Sequence, residues 1–131
     1  MGCQGTSQVR LWGDQLWLHR LAGTPEPPVN DIPASTALHD DWEQLKADRI
    51  RTDKMALEWA RNASNESFDG KLSWYSGAVD KEVSRPRWAL IVQLFNHGTH
   101  HRGQVHAMLT EAGARPGDTD VQFMDSDEFE G

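Results

Sequence analysis

The sequence predicts an all-α fold, a four-helix bundle with a short β-hairpin before its last long helix. Three long segments repeat apolar residues at the spacing of an amphipathic helix. Between the second and the third segment, turn pairs alternate with residues that favour extended structure. Because amphipathic helices bury their apolar faces against one another, these segments together indicate a bundle.

The first helix is predicted over about residues 8–22, where Val9, Trp12 and Leu16 share one face. Glycine and proline residues between positions 23 and 28 end this helix. We expect a loop of about a dozen residues before the next helix start signal.

The second helix is predicted over about residues 36–63, with Ser35 or Thr36 as its cap. Asp40 and Asp41 would then lie in its first turn, where a carboxylate suits the positive end of the helix dipole. The apolar residues that follow at helical spacing are Leu38, Trp42, Leu45, Ala56 and Trp59.

A hairpin is predicted over about residues 68–83, because the turn pairs Asp69-Gly70 and Ser76-Gly77 interrupt residues that favour strands. Ser84 can cap the last long helix, with Pro86 in its first turn. This helix should extend over about residues 86–112, and Gly113 ends it.

Three long helices and a hairpin leave one side of a bundle without a partner. The fourth element could come from residues before Val9, from the chain between Thr119 and Met124, or from another subunit. We therefore expect a homodimer.

Residues 1–117 are predicted to form a single helical domain, and residues 118–131 an acidic C-terminal tail. The formal charge of −7 comes from 20 acidic and 13 basic side chains, and six of the acids follow Gly117. A nearly neutral body with an acidic tail lacks the basic face that nucleic acid requires, so we expect no nucleic-acid partner.

The composition predicts a soluble cytoplasmic protein. Cys3 is the only cysteine, so no intramolecular disulfide and no CxxC motif is possible. No stretch approaches the roughly 18 consecutive apolar residues of a membrane span, and the first residues lack the order of a signal peptide.

The tryptophans are predicted to serve mainly as core residues. Trp74 is the exception, because its position on the hairpin suits an interface or a pocket. The five that fall within amphipathic helix patterns are Trp12, Trp17, Trp42, Trp59 and Trp88.

Two histidines on the last helix are the candidate metal ligands. His97 and His101 are four residues apart, so they lie about 40° apart around the helix, at the edge of its core-facing stripe. Imidazoles on successive turns can chelate zinc, nickel or another divalent ion. His100 and His106 point to other faces and are excluded from this pair.

The residues around this pair resemble a known family. The stretch Phe95–Val105, followed by Asp118-Thr119-Asp120, closely resembles the last-helix signature of the DinB/YfiT-like family. Leu16–Gly23 resembles the end of that family's first helix, so the resemblance covers nearly the whole chain. It implies a four-helix bundle, often dimeric.

The resemblance also implies a metal site made of His97, His101 and a third histidine from the first long helix. In this chain the position of that third histidine falls on Val9. The alternatives for the third ligand are Asp14, His19 and His39, each of which can also be interpreted as a surface residue.

Other polar residues near the pair have two interpretations each. Asn96 and Gln104 could hydrogen-bond the free ring nitrogens of the ligands, or could simply lie on the helix surface. Arg102 could form an ion pair with Asp53 across the bundle.

The resemblance implies a metal-dependent enzyme that uses a low-molecular-weight thiol, as a thiol S-transferase, an isomerase or a hydrolase-like enzyme. The sequence identifies no catalytic residue beyond the metal ligands. The alternative is a metal-free, degenerate dimeric bundle that acts as a stress-response interaction module. Val9 favours this alternative, whereas His97 and His101 favour the enzyme.

Overall fold

A computed structural model describes residues 2–123 and 125, and it confirms the all-α class with a hairpin before the last helix. The elements in chain order are α1 (Cys3–Ala22), α2 (Ile32–Ser35), α3 (Trp42–Asn62), β1 (Lys71–Ser76), β2 (Lys81–Pro86) and α4 (Arg87–Glu111). Short 3-10 turns cover Asn65–Phe68 and Val121–Phe123. In the part of the chain described, no helix is long and apolar enough to cross a membrane.

Helix α1 begins at Cys3, earlier than the predicted start at about residue 8, and the additional residues include the buried Thr6. It ends as predicted, because Gly23 takes a left-handed conformation with φ of 71° and donates its backbone N–H to His19 O. Glycine adopts this conformation without the steric cost that a Cβ imposes.

The predicted cap of the second long helix is wrong. Ser35 and Thr36 donate their hydroxyls back to Ile32 O and Pro33 O within and just after the short helix α2. Helix α3 begins instead at Trp42, and the side chain of Asp41 accepts the backbone N–H of Glu43. The expected loop before this helix is thus longer and contains one helical turn.

The hairpin is antiparallel, with Trp74 opposite Val83. Ser84 does not cap α4 as predicted, because it lies in β2, where its hydroxyl accepts a hydrogen bond from Ser73 at 3.0 Å. Helix α4 follows the strand directly, and Pro86 occupies the capping position without a side-chain bond.

Helix α1 is the centre of the bundle and packs against both α4 and α3. It is antiparallel to α4, since Arg87 at the start of α4 donates to Leu21 O at the end of α1. The main buried cluster joins these two helices through Leu18, Leu21, Leu90, Ile91 and Leu94.

Two of the five tryptophans predicted in the core are instead exposed, Trp42 at 49% and Trp88 at 57%. Trp17 and Trp59 pack against the main cluster, and Trp74 of the hairpin joins them. The rings of Trp17 and Trp74 meet edge to face at 5.4 Å, so the hairpin covers this end of the bundle.

The fourth long helix of the predicted bundle is not supplied by the residues described. The chain before Val9 continues α1, and Val121 and Phe123 of the last 3-10 turn are exposed. Met124 lies outside the described residues. Helices α3 and α4 both flank α1 but make almost no direct contact with each other, so a groove separates them.

Candidate metal centre

The histidine pair of α4 faces α1, with the ring of His97 against Gly13. Gly13 lies opposite His97, and a Cβ added to Gly13 would be 2.7 Å from His97 Cε1. Any larger residue here would collide with the imidazole. Helical periodicity alone does not single out Gly13, although an isolated glycine inside a helical pattern often has a packing reason.

The two imidazoles place their outer nitrogens side by side. His97 Nε2 and His101 Nε2 are 3.1 Å apart, and the rings are steeply inclined with centroids 4.4 Å apart. Two ligand nitrogens at about 2.0–2.1 Å from one ion are about 2.9 Å apart in octahedral geometry and about 3.4 Å apart in tetrahedral geometry. The observed spacing therefore fits chelation of one divalent ion by both rings.

Gln104 orients the second imidazole. Its Oε1 lies 2.7 Å from His101 Nδ1, and because this oxygen can only accept, Nδ1 carries the hydrogen. The lone pair of His101 is thereby left on Nε2, the atom that faces His97. Asn96, the other candidate for this role, is exposed and has no hydrogen bond to either ring among the described residues.

The environment of His97 favours its neutral form. Burial lowers the pKa of His97, and the adjacent ring of His101 lowers it further, while Asp14 opposes these effects. A neutral imidazole is the form that binds metal. His97 Nδ1 is also buried, and it has no hydrogen-bond partner within the described part of the chain.

Val9, on which the sequence places the third ligand, is a buried residue of α1. It lies on α1 one turn before Gly13, and since α1 and α4 are antiparallel, this places it level with His101. The side chain is only 7% exposed and is apolar. It cannot contribute a donor atom.

The three alternative ligands are engaged elsewhere. His19 Nδ1 lies 2.6 Å from Thr24 O, and His39 Nε2 lies 2.9 Å from Asp48 Oδ2. Asp14 accepts from Arg49 Nη1 at 2.6 Å. Among residues 2–123 and 125, no group of three histidine, cysteine, aspartate or glutamate side chains could hold a metal ion.

The remaining polar residues near the pair do not join it. His100 is exposed, although its ring meets that of His101 at 5.1 Å. The predicted ion pair of Arg102 with Asp53 does not form, because Asp53 pairs with Arg49 one turn away on its own helix. Arg102 instead donates to Thr99 Oγ1 at 2.9 Å.

Comparison with known proteins gives one match. The model of the DinB family matches residues 11–130, which include both histidines and the whole of α3, the hairpin and α4. No curated protein and no solved structure matches the chain significantly.

Proposed function

This chain belongs to the DinB family, and from that premise we propose that it binds one divalent metal ion, zinc or nickel, through His97 and His101. The observation that carries the proposal is the 3.1 Å separation of the two Nε2 atoms, with Gln104 orienting one of the rings. Imidazole nitrogens suit both metals.

The two histidines and the residues that contact them have distinct parts in this proposal. Gln104 keeps the lone pair of His101 on Nε2, and burial lowers the pKa of His97, which favours its neutral form. Gly13 leaves space for the ring of His97 against α1. Proteins commonly orient metal-ligating histidines by hydrogen bonds to the second ring nitrogen, and such bonds raise metal affinity.

We propose further that the metal-bound protein is an enzyme for a low-molecular-weight thiol, acting as an S-transferase or an isomerase. A bound divalent ion lowers the pKa of a thiol and thereby supplies a thiolate nucleophile at neutral pH. The apolar side chain of Val9 donates nothing, so it leaves coordination positions for water or for a small molecule.

The rival candidate is a metal-free dimeric bundle that acts as a stress-response interaction module. It is favoured by Val9 and by the lack of a three-ligand group within the described residues. Two imidazoles hold a metal less tightly than three, so an ion held by His97 and His101 alone would be lost more easily.

Calorimetric titration with nickel separates the two candidates. We expect the wild type to bind one equivalent and the His101→Ala variant to lose at least about tenfold in affinity, because half of the protein ligands are removed. His106→Ala is the matched control, since it removes a histidine from the same helix but not from the pair. Equal binding by wild type and His101→Ala, or none by the wild type, would support the rival.

A further inference from the structure

An open cavity of about 620 Å³ lies between α1, α3 and α4. Its floor is Leu11 of α1, and its walls include Leu45 and Ile50 of α3 and Val105 of α4. Pro116, Gly117 and Thr119 also line it. A cavity of this size is large enough for a small organic molecule with an apolar body.

The cavity is lined by cations. Arg10, Lys46, Arg49 and Arg102 contribute to its wall, whereas no aspartate or glutamate lies among the described lining residues. Carboxylates that lie outside the cavity lining compensate part of this positive charge. Asp14 and Asp53 both pair with Arg49, and Asp14 lies 3.8 Å from Arg10.

One positive charge in the wall lacks a carboxylate partner in the part of the chain described. Lys46 pairs with Glu43 at 2.8 Å on the surface, while the guanidinium of Arg102 bonds only to the hydroxyl of Thr99. Arg102 is thus the cation of the wall that can take an anionic group as its partner.

Two buried donors in the wall are also unsatisfied. Arg10 Nε and Arg49 Nε are shielded from solvent and have no hydrogen-bond partner among the residues described. A buried N–H without a partner destabilises the protein, and an anion that accepts from it recovers this free energy. Burial lowers the pKa of Arg10, Asp14 opposes this effect, and the nearby charges of Arg49 and Arg102 lower the pKa further.

We propose that this cavity binds an amphipathic monoanion, a molecule with an apolar chain or ring and a single carboxylate. The carboxylate would lie against Arg10 and Arg102 and the apolar body between α3 and α4. His97 and His101 do not line the cavity, so this proposal does not require a bound metal.

Calorimetric titration of the full chain with sodium decanoate tests the proposal. Decan-1-ol and decyltrimethylammonium bromide are the matched probes, because they keep the chain and remove or reverse the charge. We expect decanoate to bind with one-to-one stoichiometry and both other probes to bind at least about tenfold more weakly, as expected for loss of a charge-assisted hydrogen bond. No binding of decanoate, or equal binding of decan-1-ol, would overturn the proposal.

Two variants locate the site. Arg102→Gln should weaken decanoate binding on the order of tenfold, and Val105→Trp should abolish it by filling the cavity. Lys54→Gln is the control, since Lys54 is an exposed cation of α3 outside the cavity. An unchanged affinity in both cavity variants, or an equal loss in Lys54→Gln, would place decanoate elsewhere and overturn the assignment.

Discussion

At the scale of single residues, the histidine pair depends on Gly13 as much as on its own helix. The sequence predicted that His97 and His101 share an inward face, because helical periodicity alone determines this. It could not predict the contact with Gly13, since the distance between two helices depends on how they pack. The same limit explains Asp53, which pairs with Arg49 of its own helix instead of with the predicted partner Arg102.

The first residue-scale prediction concerns Gly13→Ala. The new Cβ would lie 2.7 Å from His97 Cε1, so the ring or the helix must move. We expect a loss of about 1–3 kcal/mol from overpacking, partly offset by the higher helix propensity of alanine, together with weaker nickel binding. Urea denaturation and nickel titration measure the two effects.

Gly103→Ala is the control for this change. It lies in α4 with no atom within 4 Å of an added Cβ, so alanine should stabilise the protein, by about 0.5–1 kcal/mol. If both alanine variants bind nickel like the wild type, the close contact with Gly13 does not position His97.

The second residue-scale prediction is a gain of function. Val9→His would place an imidazole level with His101 on the buried face of α1. We expect nickel affinity to rise by about tenfold or more, because a third protein ligand joins the pair. Leu16→His, at a partly buried position farther along the same helix, should give no gain. If Val9→His binds nickel no more tightly than the wild type, this result would contradict the position of Val9 beside the histidine pair.

At the scale of the elements, polar contacts hold α1 against α3. Gln15 donates to Thr52 at 3.2 Å and to Asp48 at 3.0 Å, and both Gln15 and Thr52 are buried. Asp48 also meets His39 and Arg51. Helical periodicity predicted that Leu45 lies on the apolar face of α3. It could not predict that a buried glutamine, Gln15, also contributes to the interface between α1 and α3.

These contacts make the stability of the α1–α3 interface dependent on pH. Burial alone would raise the pKa of Asp48, but hydrogen bonds from Arg51, His39 and Gln15 outweigh it and lower the pKa. Since the folded pKa is below the ordinary aspartate value of about 3.9, the contribution is complete above that pH and is lost as pH falls through the folded pKa.

We therefore predict that Asp48→Asn lowers the free energy of unfolding at neutral pH, by about 1–2 kcal/mol. The difference between variant and wild type should shrink below about pH 4. Urea denaturation at about pH 6 and about pH 3 measures it. A constant difference at both pH values would mean that the charge of Asp48 contributes nothing to folding.

Helix ends were the least predictable part of the elements. Ser35, Thr36 and Ser84 all have side chains suited to capping, yet the first two bond to carbonyls near α2 and the third pairs across the hairpin. A capping side chain identifies a local turn, but several turns compete for it, and tertiary packing decides among them.

At the scale of the whole molecule, the class, the order of the elements and the hairpin followed from the sequence. The position of the groove between α3 and α4 could not be predicted from the sequence, because it depends on the direction of each helix.

Several apolar side chains are left exposed on these two helices, namely Ile50, Leu57, Trp88, Val92 and Phe95. Patches of this kind commonly mark protein interfaces.

We propose that the chain forms a homodimer through the exposed apolar residues of α4. A charge placed among these residues should therefore weaken the dimer. Phe95 is 61% exposed, so Phe95→Lys should leave the fold intact while it places a charge in the interface. We expect the wild type to have twice the chain mass by light scattering and Phe95→Lys to be largely monomeric. The control, Gln93→Lys, changes another exposed residue of α4. A monomeric wild type would contradict the proposed dimer.

The central claim is that His97 and His101 together bind one divalent ion, and X-ray absorption at the zinc edge tests it most directly. With one equivalent of zinc bound, the spectrum should show two imidazole nitrogens at about 2.0 Å and light donors from water in the remaining positions. Val9→His should raise the imidazole count to three. One imidazole or none in the wild type, or a spectrum unchanged in His101→Ala, would contradict the account.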